Sequence, residues 1–292
     1  MSDAYRIDKA RVRASFDRAA GSYDAAAILQ REVRERMLQR LELVKMAPRV
    51  ILDAGCGTGH ATVALGKRYR DSQVISLDIA MGMLQQTLGH YPLMKRMLAP
   101  LTGQKRPVAV CADIENLPLQ HGSVDLIWSN VAIQWCNDLD AAFAGMARVL
   151  RPEGLLMFST FGPDTLKELR AASSDGSVHV SRFIDMHDIG DALVRAGFAD
   201  PVLDVERFVL TYDDVMAVMR DLKAIGAHNA AAGRARGLLG RGFLERLTEA
   251  YEQFRHEGKL PATYEVVYGH AWKAQPKQPG LSTVTLHPRK PA

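Results

Sequence analysis

Four apolar runs in the first half of the chain each end in a group able to hydrogen-bond a ligand. Asp53 follows Val50-Ile51-Leu52, Asp78 follows residues 73–77, Asp113 follows residues 108–112, and Asn130 closes residues 124–129. Such runs read as buried parallel strands, and in open α/β sheets ligands bind beyond the carboxyl ends of the strands. The chemistry of the four groups suits a nucleoside. Asp78, with Ile79 beside it, can accept both hydroxyls of a ribose. Met83 can lay an apolar, adaptable thioether against a flat purine. Asp113 can accept an exocyclic amino group, while the backbone beside it at Ile114 can donate to a ring nitrogen. Taken singly, any of these groups reads equally well as a helix cap or a solvated loop acid; their repetition at one sheet edge is the signal.

Between the first and second runs lie three glycines at alternate positions, Gly55, Gly57 and Gly59, with a helix expected from about Ala61. Glycine lets the backbone approach a ligand closely and visit positive φ, and the free N–H groups of the helix point at the same place. The dinucleotide fingerprint requires a further glycine where this chain has His60. The run Val50-Ile51-Leu52-Asp53-Ala54-Gly55-Cys56-Gly57-Thr58-Gly59 instead resembles motif I of class I S-adenosylmethionine-dependent methyltransferases. Asp53, Gly55, Gly57, Gly59, Asp78, Ile79, Met83, Asp113, Ile114 and Asn130 are therefore the expected S-adenosylmethionine contacts.

The elements needed to hold these groups follow along the chain. Residues 139–150 carry a helical apolar stripe of Phe143, Met146, Ala147 and Leu150, and Arg151-Pro152-Glu153-Gly154 reads as the turn that ends it. Residues 155–160 form a fifth buried strand, and 184–196 a helix stopped by Gly197. Residues 202–210 and 264–272 form a final antiparallel pair at the sheet edge. The expected fold is α/β: a doubly wound, seven-stranded, mostly parallel sheet. The domain reading is an N-terminal helical cap over 1–46, a core over 47–210, a helical lid over 211–260, the last strand over 261–273, and a tail over 274–292. The tail is Pro-rich, basic and without apolar period, which reads as disordered.

Four further segments carry a narrower resemblance. The run Phe16-Asp17-Arg18-Ala19-Ala20-Gly21-Ser22-Tyr23-Asp24 resembles the N-terminal segment of a methyltransferase subgroup in which the aromatic residue closes over the methyl donor. With residues 159–169, Arg182-Phe183 and residues 219–229, it makes the chain similar to the malonyl-[acyl-carrier protein] O-methyltransferase family over roughly residues 12–273. The resemblance implies methylation of the free carboxylate of a malonyl thioester at the start of pimeloyl assembly for biotin. It implies an acidic acyl carrier protein as partner, with malonyl-coenzyme A as a possible alternative carrier. The rival readings are methylation of another small carboxylate or a quinone precursor, a related protein-arginine hydroxylase or assembly factor, and a cofactor-binding regulatory module without catalysis, which Tyr23 and the lid disfavour.

The implied chemistry needs no general base, because a carboxylate of pKa about 4 is already ionised at neutral pH. Arg182 is the candidate clamp for that carboxylate, since a guanidinium offers a planar two-donor fork; an ion pair with Asp185 or Asp188 is its structural alternative. Tyr23 would shield the reacting centre, Trp135 and Gln134 would wall the pocket, and Phe183 would line the acyl channel. Arg234, Arg236 and Arg241, in a stretch of the insertion without acids, are the candidate docking residues for an acidic partner.

Composition limits the alternatives. The chain has 292 residues, 47% of them hydrophobic, enough for one large α/β domain with an insertion. A net charge of +4 is too small for a general nucleic-acid footprint. No apolar run approaches the roughly 18 residues of a membrane span, and the polar N-terminus does not read as a secretory signal. Three cysteines without pairing or ligand spacing fit a reducing cytoplasm and no metal site.

Overall fold

Near-continuous burial along the central strands builds a sheet whose middle is covered on both faces. The computed structural model describes residues 6–91, 105, 107–173, 183–226 and 241–275. Its strands are β1 (Val50–Ala54), β2 (Gln73–Asp78), β3 (Val108–Cys111), β4 (Val124–Ser129), β5 (Leu150–Phe161), β6 (Phe198–Tyr212) and β7 (Leu260–Lys273), in the spatial order β3-β2-β1-β4-β5-β7-β6. The first five pair in parallel, whereas β7 runs antiparallel to both β5 and β6. The expected seven-stranded sheet with its antiparallel edge is observed.

Side chains alternate between the two faces of a strand, and the core divides accordingly. Ile51, Trp128, Leu155 and Met157 pack on one face against Leu29, Val33, Met37 and Leu41 of α3 (Ile28–Glu42). Leu52, Ile127, Leu156 and Phe158 pack on the other. There they meet Phe143 and Met146 of α6 (Leu139–Val149), and Ile189 and Leu193 of α8 (Met186–Arg195). Burying an apolar side chain of this size contributes about 1.5–3 kcal/mol, so the central strands are fixed from both sides.

The connections place the ligand-bonding groups. Helix α4 (His60–Arg68) links β1 to β2, and α5 (Met81–Gly89) follows β2. Ahead of the sheet lie α1 (Lys9–Ala19), capped by the Asp8 carboxylate, and the short α2 (Tyr23–Ala26). Helix α7 (Lys167–Ala172) follows β5, and its Glu168 is buried, accepting from the Thr263 N–H at 3.0 Å and from the Thr263 hydroxyl. Between β6 and β7 the described residues contain α9 (Val215–Ala224) and α10 (Arg241–Glu252).

Strands β6 and β7 run longer than the expected 202–210 and 264–272, and two further boundaries differ from the sequence reading. Strand β5 begins at Leu150, so Arg151-Pro152-Glu153-Gly154 lies inside it and not in a terminating turn. The pairing with β4 slips there, from Val124↔Leu150 to Leu126↔Leu155, and Glu153 takes φ 62°. A bulge absorbs the residues that looked like a chain reversal. Helix α8 starts at Met186, because the Asp185 carboxylate accepts from the His187 N–H at 2.9 Å and caps it. The expected tail beyond residue 275 lies outside the described residues.

Candidate active site

The turn after β1 is organised by Asp78. One carboxylate oxygen accepts from the Gly57 N–H at 2.9 Å and the other from the Ala80 N–H at 2.8 Å. The N–H groups of Gly55 and Cys56 both donate to the Leu77 carbonyl, at 2.7 and 2.9 Å. The glycine turn therefore hangs on the end of β2. Burial pushes the Asp78 carboxyl up to about 6, against the pull of the Ala80 and Gly57 N–H donors.

The three glycines do different jobs. At Gly57 (φ 54°) a Cβ would enter open space, so this glycine leaves the cleft clear and relieves the backbone. At Gly55 a Cβ would stand 2.3 Å from Ala132 Cβ, and at Gly59 it would stand 2.6 Å from Thr87 Cγ2. Those two are required by close packing, Gly55 against the loop at Ala132 and Gly59 against α5 at Thr87.

A cleft opens above this turn at the carboxyl ends of the strands, with about 630 Å³ of empty space when the solvent at its mouth is included. It is lined by Gly55, Gly57, Asp78, Ile79 and Met83, by Asp113, Ile114, Asn130 and Trp135, and by Tyr23. Asn130 is held by two neighbours: its amide donates to the Gln30 carbonyl at 3.1 Å and its oxygen accepts from the Ser159 hydroxyl at 3.0 Å. Gln134, expected beside Trp135, instead donates to the Val131 carbonyl at 2.8 Å.

Asp53 and Gly59 are not among the lining residues. Asp53 is buried beneath the turn, accepts from the Thr62 hydroxyl at 2.6 Å, and is pushed by burial up to about 7. Its place is structural support for the turn. Phe183 packs edge-on against Phe161, 5.6 Å between ring centroids, away from the cleft lining. Arg182, Arg234 and Arg236 lie outside the described residues, and Arg241 opens α10.

The cleft is roofed by the N-terminal segment, whose contribution beyond Tyr23 the sequence reading did not assign. Phe16 stands edge-on to Trp135 at 5.4 Å and to Tyr23 at 6.4 Å. Lys9 and Val12 line the same space. Asp17 accepts from the Gly82 N–H at the start of α5, and a Cβ on Gly82 would meet Asp17's carbonyl at 3.1 Å. Asp24 accepts from the Thr58 hydroxyl at 2.6 Å and lies 3.0 Å from His60 Nε2. Partial burial raises the Asp24 carboxyl, but Thr58 and His60 outweigh it and hold the group below its ordinary value.

Two groups facing the cleft are kept neutral. Desolvation, reinforced by the charges of Asp78 and Asp24, raises the Tyr23 hydroxyl well above its ordinary value. Burial pushes the Cys136 thiol up to about 12, with Lys9 opposing. Neither supplies an anion that would compete for an electrophile at neutral pH. Among the described residues, no group of His, Cys, Asp and Glu side chains could hold a metal ion.

Comparison with known proteins agrees with this geometry. A sequence profile described as a methyltransferase domain matches residues 52–158. The YcgJ protein of Bacillus subtilis superposes with a TM-score of 0.56 at 14% identity, covering 82% of this chain and 98% of that one. The BH2331 protein of Bacillus halodurans gives 0.57 at 15% identity, covering 83% and 99%. The fold is that of a class I methyltransferase. Closer relatives narrow the class. The malonyl-[acyl-carrier protein] O-methyltransferase of Methylovorus sp. (strain MP688) is 70% identical over 99% of this chain and 98% of its own length. That of Laribacter hongkongensis is 56% identical over the full length of both. This chain belongs to the malonyl-[acyl-carrier protein] O-methyltransferase family.

Proposed function

We propose that this chain transfers the methyl group of S-adenosylmethionine to the free carboxylate of a malonyl thioester carried on acyl carrier protein. The product, a malonyl methyl ester, would prime pimeloyl synthesis for biotin. The observation that carries the reading is the cleft itself: a ribose-competent Asp78, a Gly57 that leaves room for a ligand, and an aromatic roof of Phe16, Tyr23 and Trp135. Full-length identity to relatives bearing that name supports the acceptor.

The residues present fit the methyl donor. Asp78 would accept the ribose hydroxyls on lone pairs left by Gly57 and Ala80. Ile79 and Met83 would flank the adenine, with Asp113 and the Ile114 backbone at its polar edge. Asn130, held between Gln30 and Ser159, presents a polar group on the opposite side. S-adenosylmethionine supplies an activated sulfonium methyl, so the protein must position, desolvate and orient. Positioning alone is worth about 7–11 kcal/mol of barrier. Tyr23 and Trp135 exclude water, and the neutral Tyr23 hydroxyl can donate to an acceptor carboxylate without adding charge. Arg182 would grip that carboxylate in a bidentate contact and turn one oxygen toward the methyl group. The segment 211–260 would serve as a helical lid, with Arg234, Arg236 and Arg241 meeting the acidic carrier protein; the reaction would take place in the cytoplasm.

The experiment measures cofactor binding and methyl-ester formation on malonyl-acyl carrier protein with one preparation of wild type and of Arg182→Ala. Wild type should form an alkali-labile ester. The variant should bind S-adenosylmethionine normally while losing transfer by roughly a hundredfold or more, as expected when a buried carboxylate loses its charged partner. Absence of ester with wild type would overturn the function; wild-type turnover by the variant would move the clamp elsewhere, with Arg170 and Lys167 next.

A further inference from the structure

The cleft is roofed by an element that carries its own fastening. Lys9, at the start of α1, reaches across to the far side of the cleft, where its ammonium lies 3.0 Å from Asp113 Oδ1 and also pairs with Glu115. Asp113 and Glu115 stand at the short helical turn 114–116, at the polar edge expected to face the adenine. Beside this pair, the side chain of Asn137 makes two bonds to one residue of the roof. Its oxygen accepts from the Ile7 N–H at 2.7 Å, and its amide donates to the Ile7 carbonyl at 3.0 Å. Glu115 ties the two contacts together, accepting from the N–H groups of Asn137 at 3.0 Å and Asp138 at 2.7 Å. The far end of the roof is fixed separately, through Asp24 to Thr58 and His60.

These contacts bridge long sequence separations, and they close one rim of a cleft whose floor and walls would hold the methyl donor. With Lys9, Val12, Phe16 and Tyr23 all lining it, a ligand seated on Gly57 and Asp78 lies under the roof. The fastening at Lys9 and Asn137 is the rim nearest the expected adenine edge, where loosening the roof would ease exchange of spent for fresh cofactor. Lys9 suits this work. Burial works against its charge, but Glu115 and Asp113 outweigh that and hold the ammonium above its ordinary value, so the clasp stays ionised throughout the neutral range.

We infer that Lys9 and Asn137 form a latch on the N-terminal roof that sets the residence time of S-adenosylmethionine and of the demethylated product. They act as positioning residues with no part in the transfer step. The inference rests on the proposed cofactor site and adds to it a kinetic role for two residues outside the glycine turn. Because a latch stabilises the closed complex more than the encounter, its loss appears chiefly in the dissociation rate.

The test follows labelled S-adenosylmethionine bound to the full-length protein and chased with excess unlabelled compound. Lys9→Met and Asn137→Ala should each speed dissociation by roughly tenfold, leaving the association rate within about threefold of wild type. Lys9→Arg should restore most of the residence time, since it keeps the charge. Arg11→Ala, a solvent-facing change on the same helix, should alter nothing. On the methyl-transfer side, Lys9→Met should raise KM for the cofactor while kcat is kept or increased, because product leaves faster. A merely structural loss would lower kcat and melting temperature together, so unfolding curves accompany the kinetics. Wild-type dissociation rates in both Lys9→Met and Asn137→Ala, with normal cofactor binding, would overturn the latch and leave the cofactor site standing. Failure of the wild-type protein to bind S-adenosylmethionine would overturn the site as well.

Discussion

Asp78 is bonded twice to backbone before any ligand arrives, and this decides what its removal does. A charged acceptor contributes roughly 1.5–3 kcal/mol per hydrogen bond, and Asp78→Ala loses both the ribose contacts and the anchor of the Gly57 turn. Calorimetry should show S-adenosylmethionine affinity reduced at least about tenfold, as one lost contact of that size requires. Gly57→Val should abolish binding, because the new side chain would occupy the open space above the turn and strain a φ of 54°. Unchanged affinity in both variants would remove the cofactor from this cleft. Asp53 lends itself to a different measurement. Its carboxyl is raised from 3.8 to about 7 by burial, so between those values the folded state binds more protons than the unfolded one. Stability of the ligand-free protein therefore falls as pH rises from about 4 to about 7 on this group's account. Asp53→Asn, which still accepts from Thr62, should flatten that slope in urea unfolding at several pH values; an unaltered slope would mean that Asp53 is ionised at little cost. At this scale the strand-end acids were legible in the sequence, but their division of labour was not. Whether a glycine faces a ligand or a packed neighbour depends on Ala132 and Thr87, which no local pattern connects to Gly55 and Gly59.

At the scale of elements, apolar periodicity located the strands well, because the central ones are covered on both faces and read as continuous hydrophobic runs. It failed where tertiary pairing overrode local chemistry. Arg-Pro-Glu-Gly at 151–154 has the composition of a turn, yet the sheet takes it in as a bulge between β4 and β5. The N-terminal roof was legible through Tyr23 and silent at Phe16 and at Lys9, whose partners lie more than a hundred residues away. The insertion between β6 and β7 carries a prediction of its own. If Arg234, Arg236 and Arg241 steer an acidic carrier protein, changing all three to Glu should slow association and flatten its dependence on salt. Turnover of malonyl-coenzyme A should survive the change. Equal loss on both acceptors would mean that the arginines support the insertion itself and do not dock a partner.

Across the whole molecule, the sheet holds acids and amides at one edge, the glycine turn clears space above them, and the N-terminal segment closes the space with aromatic rings. This arrangement suits a reaction in which both partners arrive already activated and the protein orders them. Tyr23 and Cys136 are held neutral, and the carboxylate to be methylated is the strongest nucleophile the site is expected to admit. The central claim is thus a claim about the acceptor's terminal group, and it is tested by varying that group alone. The rate of labelled methyl transfer from S-adenosylmethionine would be measured on malonyl-, succinyl- and acetyl-acyl carrier protein at equal concentration. Malonyl should be methylated fastest, succinyl far more slowly because its carboxylate lies one methylene out of position, and acetyl not at all. Transfer to the acetyl form at a rate comparable with malonyl would contradict the account, since no carboxylate would then be receiving the methyl group.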